Sequence, residues 1–159
     1  MTSRSAGHGA PTSGIRAQWS RVIVLLGRLP LPLLQLLFRL ALAAVFLKAG
    51  FAKLSGWEFT IQLFADEYKV PILPPDLAAM LAVSVELGCS SLLLLGLLTR
   101  LATLPMLGMI MTIQIFVYPN AYAEHLTWGS LLLFLLTRGP GVLSLDRLLG
   151  IETASPRPE

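Results

Sequence analysis

Between Leu33 and Thr137 the chain consists of four apolar runs separated by short polar or proline-containing breaks. In lipid, a run of about 20 apolar residues satisfies its own backbone by forming a helix, which rises about 1.5 Å per residue across a hydrocarbon core about 30 Å thick. The first candidate segment, LLQLLFRLALAAVFLKAGFAKL, covers 33–54. The second covers 76–98, preceded by Pro74 and Pro75 and with Asp76 as its expected N-cap. The third covers 101–118, with Pro105 near its start, and ends at Pro119. The fourth, 123–137, is shorter and is stopped by the GPG at Gly139–Gly141. A content of 55% hydrophobic and 13% charged residues, with mean hydropathy +0.72, sets the chain apart from soluble domains. The expected fold is all-α, a polytopic membrane four-helix bundle.

Around that bundle, expected over 31–150, the sequence predicts three smaller parts. Residues 1–20 read as a disordered basic tail containing His8, 21–30 as an interfacial helix held by Trp19 and the arginines, and 151–159 as a flexible tail. A signal peptide fits poorly, because Arg28 interrupts the apolar run and no small-x-small cleavage site follows. The loop 55–75 places Trp57, Ile61, Phe64 and Tyr68 at spacings of four, three and four among Glu58, Asp66, Glu67 and Lys69. That pattern predicts a short amphipathic helix lying on the membrane and roofing the bundle.

Charge sets the expected orientation. Arg4, Arg16, Arg21 and Arg28 precede the first segment, Arg100 sits in the second turnaround, and Arg138, Arg147 and Arg157 follow the fourth. The other side mixes Lys53 and Lys69 with Glu58, Asp66, Glu67 and Glu124. The positive-inside rule then places both termini in the cytoplasm and the long loop outside, with Trp57 and Trp128 as an outer aromatic belt and a bacterial inner membrane as the simplest location. The net charge of +3 and pI near 9.4 do not imply nucleic acid, since the arginines are scattered at segment ends without aromatic platforms.

Glu86, in the middle of VSVELGCSSLLLLGLL, is the costliest residue in the chain. A carboxylate at that depth faces the bundle interior, a partner or a wet cavity. Counted along the helices from their outer ends, Glu86 lies about 15 Å down, Lys48 about 9 Å and Arg39 about 22 Å. Lys48 is therefore the preferred partner, with Arg39 offering bidentate geometry. Ala41, Ala44 and Ala52 share a side with Lys48, Ala43 and Gly50 flank Arg39, and Ala79, Ala82 and Ser90 accompany Glu86. Such small residues permit close helix contacts. Two readings follow: a buried pair that fixes helix register, or a site that binds a polar head group or relays protons.

The remaining signals are weaker. Gln114 lies near the outer end of the third segment, within reach of a neighbouring helix. Adjacent Glu124 and His125 do not share a helix face and favour interfacial solvation over a metal site. The single cysteine, Cys89, reads as a packing residue, and Met106, Met109 and Met111 as packing or lipid-facing residues. No metal ligand set is expected.

The ordered blocks FRLALAAVFLKAGFAKLSGW, VELGCSSLLLLGLLTRLATLPM and HLTWGSLLLFLLTRGPGVLSLDRLL resemble the DoxX family of small four-helix membrane proteins. The resemblance runs from about Leu33 to Leu149. It rests on the order of Arg39, the Gly50 and Lys53 pair, Glu86, the GLLTR block ending at Arg100, and the GPG followed by Ser144, Leu145 and Asp146. It implies a role in quinone-linked oxidation, as the small subunit of a terminal quinol oxidase or a thiosulfate:quinone oxidoreductase, or in a membrane redox complex with detoxifying enzymes.

The candidates for a buried polar or quinone-contact site are Glu86, Lys48, Arg39, Lys53 and Gln114. Those for structural or interface roles are Arg100, Trp57, Trp128 and Asp146. In the redox reading no cofactor is covalently bound, a quinone is the ligand, and a redox-enzyme partner supplies the electron carrier, because the chain shows no dinucleotide fingerprint, haem motif or cysteine cluster. The alternative is a small transporter or scaffold, including a homo-oligomer, whose buried charges bind a solute or fix packing.

Overall fold

A computed structural model describes residues 13–27 and 29–152, and these are helical with no strand. Two units are distinguished, one ending at Pro30 and one beginning at Leu31. The first holds helix α1, Ser13–Leu26, which starts within the stretch expected to be unstructured tail and leaves Trp19, Val22 and Ile23 exposed. The expected tails at 1–12 and 153–159 lie outside the described residues.

The second unit contains α2 (Leu31–Ser55) and α3 (Trp57–Leu63), the latter continued by a π-helical turn at Phe64–Tyr68. Next come α4 (Pro75–Ser84), a second π-helical turn at Val85–Cys89 and α5 (Ser90–Leu95), which together form one continuous helix. Then follow α6 (Thr99–Thr112) with a third π-helical turn at Ile113–Val117, α7 (Tyr122–Arg138) and the short α8 (Leu145–Leu148).

Among the described residues three helices are long and apolar enough to cross a membrane: Leu31–Ser55, Pro75–Leu95 and Thr99–Val117. At 1.5 Å per residue they measure about 37, 31 and 28 Å. The 17-residue α7 packs alongside them, against α2 and α6.

Leu42 and Phe46 of α2, Leu93 of α5, Ala102, Met106 and Ile110 of α6, and Leu132 and Leu135 of α7 form the shared core. Half-buried Cys89 and Met109 pack against it. The outward faces carry Leu37, Val45, Phe51, Leu94, Leu101, Leu104, Met111, Ile115 and Leu133 in the open, the surface that a lipid solvent permits.

Helix ends follow local chemistry. Pro75 takes the first position of α4, where its missing amide costs nothing, and Pro74 precedes it with ψ 143°. Asp76 was expected as the N-cap. It lies instead inside the first turn, where its charge suits the positive end of the helix dipole. Gly96, at φ +68°, closes α5 in the left-handed conformation.

The bundle end opposite the long loop is closed by a polar knot. Arg39, 1% exposed, donates from Nε to the Leu93 carbonyl (2.8 Å), from Nη2 to Leu94 (3.0 Å), and from Nη1 to Pro140 (3.2 Å) and Leu143 (2.7 Å). Its guanidinium thereby satisfies carbonyls at the end of α5 that have no water to turn to in a membrane.

Gln35, one turn earlier, donates to the Arg138 and Gly139 carbonyls at 3.0 and 3.1 Å. Asp146 caps α6 from a distance, its carboxylate accepting the Leu98 and Thr99 amides at 2.7 and 3.0 Å. Arg100 pairs with Glu152 (Nη2–Oε1 2.7 Å) and donates to the Leu136 and Thr137 carbonyls, tying the start of α6 to the end of α7.

Candidate functional site

The buried face of α2 runs Gln35, Arg39, Leu42, Ala43, Phe46 and Gly50, an i, i+3/i+4 stripe that Lys53 continues. Lys48 lies roughly opposite on the helix and is exposed, as are Ala41, Ala44 and Ala52 beside it. The expected partners of Glu86 are therefore both corrected. Lys48 faces away from the bundle, and Arg39 is committed to four carbonyls at the other end. Glu86 pairs with Lys53, Nζ to Oε1 at 2.6 Å.

Depth counted from the helix ends misled because the ends are not level. A Cβ built on Gly50 would lie 3.1 Å from the Glu86 Cβ and 2.7 Å from Leu87 Cδ2, so Gly50 stands level with Glu86. Glu86 is 11 residues into its helix from Pro75, whereas Gly50 is five residues from the end of α2 at Ser55. The start of α4 thus projects roughly 9 Å beyond α2. Glycine at position 50 permits the close approach that lets Lys53, one turn further on, reach over to the carboxylate.

The pair lines a cavity of about 520 Å³, together with Phe46 and Ala49 of α2, Ala78, Ala82 and Val85, Pro105 and Met109 of α6, and His125 and Trp128 of α7. The projecting end of α4 supports the roof. Phe64 packs on Ala78 and Ala79, with Trp57, Tyr68 and Val70 around them, and Thr60 donates to the Lys53 carbonyl at 2.9 Å.

All three π-helical turns contribute walls, through Phe64 and Tyr68, Val85 and Glu86, and Ile113 and Val117. Such turns widen a helix by one residue and frequently accompany functional sites.

The roof is fastened to the end of the third span. The Tyr118 hydroxyl donates to Glu67, and its ring packs edge-on against Tyr68 with centroids 5.5 Å apart. The hydrogen bond to Glu67 is the main reason that the Tyr118 phenol is held well above its ordinary range, with desolvation adding to it.

Gln114 joins neighbouring helices here. Its Nε2 donates to the Pro119 carbonyl (2.8 Å), so its Oε1 accepts from His125 Nδ1 (2.7 Å). In the neutral imidazole that tautomer leaves Nε2 as an acceptor. His125 is buried, 6% exposed, where an interfacial residue was expected. Half-buried Trp128 packs its ring edge-on against Phe46, centroids 5.5 Å apart. Trp57 is half-buried in the roof, and no cluster of metal-ligating residues occurs among the described residues.

Three buried side-chain oxygens lack a partner among the described residues, Glu86 Oε2, Ser90 Oγ and Thr99 Oγ1, and of these residues Glu86 alone lines the cavity. Glu86 is 4% exposed, and its Oε2 has essentially no accessible surface.

The fold and this chamber define a helical membrane protein with a buried ion pair at the wall of an apolar cavity. The DoxX profile matches residues 34–119, and the chain belongs to the DoxX family. It is similar to the inner membrane protein YphA of Escherichia coli (strain K12), at 33% identity over 129 residues that cover 73% of this chain and 90% of that protein. No solved structure matches it.

Proposed function

We propose that this protein is a membrane subunit of a quinone-linked oxidoreductase complex, and that the cavity beside Lys53 and Glu86 receives a quinone head group. In this reading α7 is a fourth span, both termini face the cytoplasm, and the roof lies on the outer side of an inner membrane. The observation that carries the reading is the Lys53–Glu86 ion pair among the residues that line a cavity of about 520 Å³. That volume falls within the range of about 300–1,000 Å³ typical of small-molecule sites, which combine apolar walls with a few placed polar groups.

This chain's part is to bind and orient. Glu86 holds Lys53 by Oε1 and fixes the ammonium at the cavity wall, where it faces the head group, while Phe46, Met109 and Trp128 exclude water. A quinone supplies two-electron redox chemistry when bound, and a partner enzyme supplies the carrier that exchanges electrons with it.

Native mass spectrometry of the protein extracted gently from its own membrane tests this reading. A stoichiometric quinone, with or without a redox-enzyme partner, is expected. A bare homo-oligomer carrying phospholipid alone would contradict it. That result would favour the second reading, a scaffold or small transporter in which the pair fixes packing, a role supported by the tight seat of Gly50 against Glu86 and Leu87.

A further inference from the structure

We propose that the site takes its ligand sideways from the lipid, through a slot between the helices Pro75–Leu95 and Thr99–Val117, and keeps the ligand's apolar tail in that slot. The proposal rests on the quinone reading above and narrows it to quinones that carry a tail. Helical register locates the opening. Leu81 stands two residues from buried Ala79 and two from buried Val83, about 200° from each around the helix. It is 46% exposed, yet it lines the cavity. Exposed Pro105, on the other helix, lies off the buried stripe of Ala102, Met106 and Ile110 and lines the same cavity. Residues that face the lipid and also border the chamber mark where the chamber meets the lipid.

The two helices part there because neither is regular. α4 packs on α2, α3 and the roof, whereas α6 packs on α7, α5 and the π-helical turn at Val85–Cys89. Ridges mesh into grooves along regular helices, and both walls of the slot interrupt that pattern. One wall has the π-helical turn that begins at Val85, and the other has Pro105 and the π-helical turn that begins at Ile113. Pro105 also has no amide to return to the Leu101 carbonyl.

The slot is apolar, with Leu81 and Val85 on one side and Pro105 and Met109 on the other. The chamber's polar end is the ion pair, where the Lys53 side chain keeps 19% of its surface accessible. Above the slot, Glu67 and Tyr68 of the roof hold Tyr118 at the end of the third span, which closes the way to water. A ligand with a polar head and an apolar tail matches this shape, its head at Lys53 and its tail directed to the lipid. A head group without a tail leaves the slot to lipid chains.

The test is photolabelling of the full chain in lipid nanodiscs by a benzoquinone with a diazirine in its isoprenoid tail, mapped by peptide mass spectrometry with and without excess unlabelled long-tailed quinone. Competed label is expected on residues 81–85 and 105–112. Leu81→Trp, which fills the slot from its lipid side, is expected to weaken labelling about tenfold, the worth of overpacking one contact. Leu133→Trp, on the outward face of α7, is expected to leave it unchanged. Competed label confined to other helices, such as the flank of α2 at Val45, overturns the proposal while leaving the quinone site standing, and needs no variant to fold. A folded Leu81→Trp labelled as strongly as the wild type also overturns it, as does equal competition by a tailless benzoquinone at the same concentration in the bilayer. Label that unlabelled quinone does not displace anywhere on the chain removes the quinone reading itself, and the proposal with it.

Discussion

Lys53 holds one oxygen of Glu86 at 2.6 Å and leaves the other without a partner. Neither residue is free to move independently. The lysine's helix contacts the carboxylate's helix at Gly50, and the lysine's own carbonyl accepts from Thr60 of the roof. Ion pair, helix contact and roof therefore form one construction, and disturbing any part of it is felt at the others.

A buried pair broken from one side leaves an uncompensated charge. Lys53→Met and Glu86→Gln are each expected to destabilise the bundle, Lys53→Met by about 3–5 kcal/mol, and the double change is expected to recover much of the loss. Lys48→Met, on the outward face, should stay within about 0.5 kcal/mol of the wild type. Thermal unfolding of the four variants in one detergent checks this, and a loss in Lys48→Met as large as that in Lys53→Met would contradict the assigned geometry.

Arg39 and Gly96 are expected to fail together. Arg39→Met strands the Leu93, Leu94, Pro140 and Leu143 carbonyls and should cost on the order of 3 kcal/mol or more. Gly96→Ala adds a Cβ at φ +68° that would collide with the Arg39 guanidinium and the Ser144 Cβ, so it should cost more than the roughly 1 kcal/mol of the backbone conformation alone. Chemical denaturation in mixed micelles measures both. A Gly96→Ala variant as stable as the wild type would show that the knot has slack.

The roof latch titrates at alkaline pH. Because Tyr118 ionises in the folded protein above its ordinary value, the latch contributes fully below the ordinary phenol range and is lost as pH rises through the raised folded value. Tyrosinate absorbance should show a late-titrating phenol that Tyr118→Phe removes, and Glu67→Gln should bring it down. A Tyr118 that titrates with the other tyrosines would mean that the latch is open in solution.

Much of the scaffold was readable in the sequence, for reasons visible in particular residues. Pro74 and Pro75 start a helix, GPG stops one, and apolar runs of spanning length have few alternatives in lipid. The partner of Glu86 was not legible in depth along the helices, in bidentate geometry or in the small residues beside Lys48 and Arg39. The spacing of Arg39, Ala43, Phe46, Gly50 and Lys53 already marked one face of α2 and placed Lys48 off it. The contact of Trp128 with Phe46 and the burial of His125 depend on how α7 packs, for which a single helix carries little signal. The π-helical turns have no sequence signature, and they build much of the cavity wall.

The most direct test of the quinone site is the amount of quinone co-purifying with the wild type, with Glu86→Ala and with Lys48→Met from the same membranes, normalised to folded protein. The account predicts near-stoichiometric quinone in the wild type and in Lys48→Met, and at least a tenfold loss in Glu86→Ala. Equal quinone in all three preparations would contradict it.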